Sequence, residues 1–333
     1  MSPHLPATHT LTKPLLAMAF LAVACGIALA AAQPASSGQG QQGPPARPAE
    51  PRTDSHGQIR VQVNLVSVIA SVLDRDHKPA ADLTQDQFEV YDEGVKQKIE
   101  VFEPDTQMPL DLALMIDSSM SETMELDFER TAASGFIAQV VRPGDRLGVY
   151  QFSDAVEQLA SFSSDIPYLQ SSLKRLEPGA GTALYDAVYL GSRALGNGPP
   201  ERRRVIVLVT DAGETTSRAD FETARRSAVR ADTLLYTIVI RAVQNEGGRN
   251  TAGEHAMETI GDSTGGAIYY LDNISQLTPT FNQINRELRT QYRIGFYPQP
   301  RPPQGAYRAI EVRVPAGYSV RSRKLYYTGG LAQ

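Results

Sequence analysis

Three separated segments of this 333-residue sequence bring together side chains with metal-binding chemistry. In Asp117-Ser118-Ser119-Met120-Ser121, alternate positions present one carboxylate and two hydroxyls. Thr182 closes the glycine-rich run Pro178-Gly179-Ala180-Gly181-Thr182, and Asp211 follows the apolar run Val205 to Thr210. Carboxylate and hydroxyl oxygens are hard donors. Mg²⁺ and similar cations take them in near-octahedral geometry and keep water in the remaining positions. The plainer alternative is helix capping, because Ser and Thr also favour N-cap positions.

The elements around these residues decide whether they can meet. From Met108 to Arg289, apolar runs of strand length alternate with helical stretches. The predicted strands are Leu110 to Ile116, Arg146 to Phe152, Val205 to Thr210, Thr233 to Ile240 and Ala267 to Leu271. The predicted helices are Leu126 to Val141, Ile166 to Leu176, Ala183 to Leu195, Ala219 to Ala231, Met257 to Ser263 and Ile274 to Arg289. Strands apolar on both faces and separated by helices imply a mostly parallel sheet covered on each side, hence a doubly wound α/β fold. In such sheets ligands bind beyond the C-terminal strand ends, where Asp117 and Asp211 fall. Flanking this region, Ile59 to Val72, Phe88 to Tyr91 and Gln97 to Phe102 read as β-structure, the last two as a hairpin around Asp92-Glu93-Gly94. Tyr292 to Phe296, Tyr307 to Val314 and Ser319 to Tyr327 read the same way. Each flank has too few strands to stand alone. The two are expected to form one small antiparallel β unit with the α/β domain inserted between them. The expected boundaries are residues 57–106 and 291–328 for the β segments and 107–290 for the α/β domain.

The order Asp117-x-Ser119-x-Ser121, then Gly181-Thr182, then Thr210-Asp211 resembles the metal-ion-dependent adhesion site of von Willebrand factor type A domains. The resemblance spans roughly Pro109 to Arg289. The segment Leu83 to Gly94 and the tail around Gln291-Tyr292 resemble flanking β segments of exported bacterial proteins of this type. The resemblance implies that Asp117, Ser119, Ser121 and Thr182 ligate Mg²⁺ (or Mn²⁺ or Ca²⁺) directly or through water. It implies that Asp211 holds a bound water, and that an open coordination position accepts an acidic side chain from a protein partner. One departure stands out: many members have Gly directly after the second Asp, and here it is Ala212.

The rest of the sequence narrows the function classes. A net charge of −5 leaves no basic surplus for a phosphate backbone, which argues against nucleic acid as partner. The run Arg202-Arg203-Arg204 is read as the solvated start of a strand rather than a binding patch. No Gly-x-Ser-x-Gly elbow, His-Glu-x-x-His pair or Walker lysine is present. Beyond residue 32 the histidines are His56, His77 and His255, which fall in the linker, in a turn and away from the site loops, so no base is expected beside a serine. The expectation is a metal-dependent protein-binding or adhesion module with no small-molecule substrate. A metal-dependent hydrolase and a structural component of an envelope assembly are the alternatives.

Residues 1–32 read as an export signal: Lys13, then the apolar run Leu15 to Ala30, then small residues of A-x-A type. This predicts a periplasmic or secreted protein. The alternatives are a membrane anchor at residues 15–32 or lipidation of Cys25, the only cysteine. Residues 33–56, rich in Gln, Pro, Gly and Ser, read as a disordered linker.

Overall fold

The computed structural model describes residues 65–104, 107–119, 123–241 and 250–329. The signal-like segment, the linker and Ser121 lie outside the described residues.

The centre of the α/β domain is β5 (Leu110–Asp117), in which all eight residues are buried. It pairs in parallel with β6 (Arg146–Phe152) on one side and β8 (Arg203–Thr210) on the other. Beyond β8 lie β9 (Thr233–Ile240) and β10 (Ala267–Leu271), also parallel. Because strand side chains alternate between faces, β5 feeds two cores. Leu112, Leu114 and Ile116 pack against α1 (Thr123–Val140), α2 (Ile166–Ser172) and α6 (Leu277–Leu288). Phe136 of α1 stacks on Phe281 of α6 with ring centroids 4.5 Å apart. Ala113 and Met115 face α3 (Leu184–Gly196), α4 (Phe221–Arg230) and α5 (Thr251–Thr264). The mostly parallel, doubly wound sheet is therefore present, with helices on both faces.

The sequence reading lacked one strand. β7 (Val156–Ser163) closes the β6 edge in antiparallel sense, giving the order β10-β9-β8-β5-β6-β7. Its Glu157 and Gln158 are exposed and its register slips along β6, as suits an edge that must not recruit further strands. Those polar residues break the apolar run by which the other strands were legible.

The flanking segments do combine into one antiparallel β unit, as two four-stranded sheets. The first joins β1 (Val66–Leu73), β4 (Val101–Glu103), β11 (Tyr292–Phe296) and β13 (Ser319–Ser322) in the order β13-β1-β11-β4. The second joins β2 (Glu89–Asp92), β3 (Val95–Gln97), β12 (Tyr307–Arg313) and β14 (Leu325–Tyr327) in the order β14-β12-β2-β3. Val68, Val90, Tyr292, Phe296 and Ile310 from both sheets share one core. Two expected strands are in fact divided between the sheets. The Gln97 to Phe102 strand breaks after β3, where the Gln97 amide exchanges hydrogen bonds of 2.8 and 2.9 Å with the Gln299 backbone. The Ser319 to Tyr327 strand breaks at Arg323-Lys324, where Lys324 N–H donates to Ser263 O of α5 at 3.0 Å.

Candidate metal centre

Strands β5 and β8 run side by side in parallel, so Asp117 and Thr210 finish at the same sheet edge. Thr210 Oγ1 donates to Asp117 Oδ2 at 2.6 Å. The other carboxylate oxygen, Oδ1, accepts from Ser119 N–H at 2.9 Å and Ser119 Oγ at 2.5 Å. Ser119 Oγ in turn accepts from Thr182 Oγ1 at 2.7 Å. An unbroken chain of oxygens thus runs Thr182–Ser119–Asp117–Thr210. Backbone contacts hold it in place. Ser119 bridges Gly179 in parallel sense, and Gly179 N–H donates to Ser118 O at 2.9 Å, drawing the glycine-rich loop against the end of β5. Thr182 N–H donates to Thr215 Oγ1 at 2.8 Å, which fixes the same loop to the segment after β8. A side chain at Gly181 would lie 2.4 Å from Asp154 Oδ1, so the loop passes close to the β6–β7 turn and any larger residue there would displace the Asp154 carboxylate.

Asp211 is exposed, and its Oδ1 accepts from Gly213 N–H at 2.7 Å. A Cβ on Gly213 would sit 2.9 Å from Asp211 Oδ1 and 3.4 Å from Thr182 Oγ1, so both groups border one small space. Ala212 is fully buried at φ +64°, in the left-handed region, and its N–H donates to Thr210 Oγ1 at 2.9 Å. The position where many type A domains carry glycine is thus one where glycine is the easy residue. Here the loop keeps the turn and bears the strain. Of the five residues singled out in the sequence, the structure brings together Asp117, Ser119, Thr182 and Asp211; Ser121 is outside the described residues.

Asp117 is 5% exposed, and no basic side chain pairs with it among the described residues. Burial pushes its carboxyl up to about 7 against the opposing hydrogen bonds from Ser119 and Thr210, and the Asp211 charge adds to the rise. A buried carboxylate without a cation is costly, so the local electrostatics favour a positive ion. The donor set fits a hard one. Oxygens at adjacent corners of an octahedron of radius 2.0–2.1 Å are about 2.9 Å apart. The Oδ1–Oγ and Oγ–Oγ1 separations of 2.5 and 2.7 Å are close to that edge. The capping alternative fails for Thr182, since the N-cap of α3 is Ala183 and Thr182 spends its hydroxyl on Ser119.

Some contributors were not legible beforehand. Thr210 bridges Asp117 and Ala212, a role hidden inside an apolar strand. Asp154 could be found only once β7 was recognised, because the β6–β7 turn carries it. Glu214 accepts from Tyr185 N–H at 3.0 Å and Ser217 Oγ at 2.6 Å, which ties the loop after β8 to the start of α3. The Asp186 carboxylate, in the first turn of α3, accepts from Arg218 and Ala219 N–H at 3.0 and 2.8 Å, tying α3 to the segment before α4.

Residues 112–214 match the family model of the von Willebrand factor type A domain. The matched span includes Asp117, Ser119, Ser121, Thr182 and Asp211. With the six-stranded sheet, this match supports a von Willebrand factor type A domain in this chain. Among curated proteins, the chain is 26% identical over 183 residues to the uncharacterized protein sll0103 of Synechocystis sp.. That alignment covers 54% of this chain and 42% of the relative, so the chain spans less than half of the relative's length. Among solved structures, a von Willebrand factor type A protein from Catenulispora acidiphila aligns at a TM-score of 0.48 with 11% identity, over 80% of this chain and 74% of that one. An aerotolerance-related membrane protein from Bacteroides fragilis aligns at a TM-score of 0.43 with 18% identity, over 54% and 99%.

Proposed function

We propose that this chain is an exported protein-binding module that captures a partner's carboxylate through a divalent cation of the Mg²⁺ class. Asp117, Ser119, Ser121 and Thr182 hold the ion directly or through water, and Asp211 orients a water beside it. The observation that carries this reading is the oxygen chain from Thr182 through Ser119 to Asp117, gathered from two loops at the C-terminal sheet edge around a buried carboxylate with no basic side chain paired to it among the described residues. The bound cation supplies a positive charge with an open position, and an acidic side chain is the natural ligand for it. The domain class, which commonly mediates protein–protein interactions, supports the same direction. We read the site as non-catalytic: His77 sits in the turn after β1 and His255 is exposed on α5, neither offering a base to the site. Export rests on the signal-like residues 1–32. No helix among the described residues is long and apolar enough to cross a membrane.

The test is thermal unfolding of the full chain with Mg²⁺, with Mn²⁺ and with chelator. The expected outcome is a higher Tm with metal, lost in Asp117→Ala, together with metal-dependent capture of an acidic peptide by the wild type alone. Equal melting in metal and chelator would overturn the site, and turnover of an ester or phosphoester probe would overturn the non-catalytic reading.

A further inference from the structure

The opposite end of the same sheet holds a cavity of about 440 Å³, within the size range of small-molecule sites. It lies where the N-terminal ends of β8 and β9 meet β1 and β11 of the β unit. Five arginines line it (Arg202, Arg203, Arg204, Arg293 and Arg323), against two acids, Glu201 and Asp232. A second cavity of about 270 Å³ shares Ser67, Asp232 and Arg323 with it and extends the room toward β14.

The arginines are unequally neutralised. Arg293 pairs with Glu103 at 2.8 Å and Arg323 with Asp232 at 2.6 Å. Arg202 reaches Asp111 at 2.5 Å, but Arg146 claims the same carboxylate. Arg203 and Arg204, only 4% and 6% exposed, have no carboxylate partner among the described residues. Arg203 donates to Met108 O, Leu288 O and Gln291 Oε1. Arg204 donates to Ala231 O at 2.8 Å, and to Gly198 O and Pro199 O only at 3.4 and 3.3 Å. The buried Nε atoms of Arg204 and Arg323 have no hydrogen-bond partner among the described residues. Burial lowers the pKa of Arg203, to about 10, and of Arg204, partly offset by the nearby charges of Asp145 for Arg203 and of Asp232 and Asp111 for Arg204. Two buried guanidiniums with no hydrogen-bonded carboxylate are costly. The expected solvated strand start is therefore a correction. Arg203 and Arg204 are interior residues facing a cavity.

Guanidinium forks match oxyanions in geometry and charge. We propose that this cavity binds a small polyvalent oxyanion, a polyphosphate or polycarboxylate, with Arg204 and Arg203 supplying the charge its paired neighbours lack. Ser67 offers a hydroxyl beside them, and Ile69 and Leu234 an apolar wall for the rest of the ligand. The site is independent of the metal centre. It lies at the other end of an eight-residue strand, roughly 23 Å away at about 3.3 Å per residue.

Calorimetric titration of the full chain with pyrophosphate and, separately, with citrate tests this. Protein and probes freed of metal beforehand on a chelating resin, at constant ionic strength, exclude metal effects and bulk screening. The expected result is saturable one-to-one binding of at least one probe. Arg204→Met should weaken it at least about tenfold. Arg130→Met, remote from the cavity, should leave it unchanged, and so should Asp117→Ala, which separates this inference from the metal reading. Should Arg204→Met fail to fold, Arg323→Gln serves in its place, with weakening again expected. No saturable binding of either probe, or wild-type affinity in whichever variant folds, would overturn the site and leave the arginines as ties between strands.

Discussion

Strand β5 carries a buried aspartate at each end, and the two have opposite surroundings. Asp111, 2% exposed, is bracketed by the guanidiniums of Arg146 and Arg202, each at 2.5 Å. Asp117, 5% exposed and six residues further on, meets only hydroxyls and a backbone N–H, and its carboxyl is pushed up to about 7. Between them the strand is wholly apolar and fully enclosed by helices on both faces. In β5, polar groups are therefore buried only near its two ends, and each end does so differently. At the N-terminal end charge is compensated by protein, apart from Arg203 and Arg204. At the C-terminal end Asp117 is left with a demand for positive charge that the described protein does not meet. Comparable burial with unequal pairing separates a carboxylate that protein charges neutralise from one that they do not.

The largest expected effect falls on Asp111. Asp111→Ala leaves the mostly buried Arg202 with only the carbonyls of Leu110 and Gly144, while Arg146 can turn to solvent, and losing one partner of a buried pair costs about 3 kcal/mol or more. Denaturant unfolding should show this with metal present or absent. A loss below about 1 kcal/mol would make the two ends of β5 alike, and the comparison would fail.

The pH response of Asp117 comes next. Its folded value of about 7 lies above the roughly 3.9 of an unfolded chain, so the folded protein without metal binds the proton more tightly. The stability this group contributes is complete below about pH 4 and is lost as pH rises through 7. A cation binds the carboxylate, not the acid, so the Mg²⁺-induced rise in Tm should be larger at pH 8 than at pH 6. Scanning calorimetry at pH 6, 7 and 8 checks this, and a rise independent of pH contradicts it. Asp117→Asn should then change the stability of the metal-free protein by less than about 1 kcal/mol, since it replaces a group already inclined to be neutral. It should nevertheless abolish the Mg²⁺ response. A loss as large as that of Asp111→Ala would mean that Asp117 is structural as well.

The sheet was legible because its strands are apolar over most of their length, and the position of Asp117 and Asp211 at strand ends followed from that. Thr182 could be paired with them through the family resemblance, but the reason it works is a bridge between Ser119 and Gly179 that no local pattern encodes. The arginine run was misread because charge is taken as solvated unless something shows otherwise. What buries Arg203 is distant in sequence: Leu288 and Gln291 at the end of α6 and the start of the second β segment. The polar edge strand β7 and the divided strands of the β unit failed for the same reason, since sheet choice depends on long-range pairing.

Ala212 gives the smallest and most local test. At φ +64° a non-glycine residue costs on the order of 1–2 kcal/mol, which Ala212→Gly would relieve. The methyl is fully buried, however, and its loss forfeits about 0.8 kcal/mol of burial, while glycine adds backbone entropy to the unfolded chain. These terms nearly cancel, so denaturant unfolding should register a change below about 1 kcal/mol. The Mg²⁺-induced rise in Tm should persist, because the Thr210 hydroxyl remains bound to both Asp117 and residue 212 through a backbone N–H that the substitution leaves in place. If the metal response instead grew several-fold, the alanine would be restraining the Asp211 loop. The difference between the two ends of the sheet would then include stored backbone strain as well as charge.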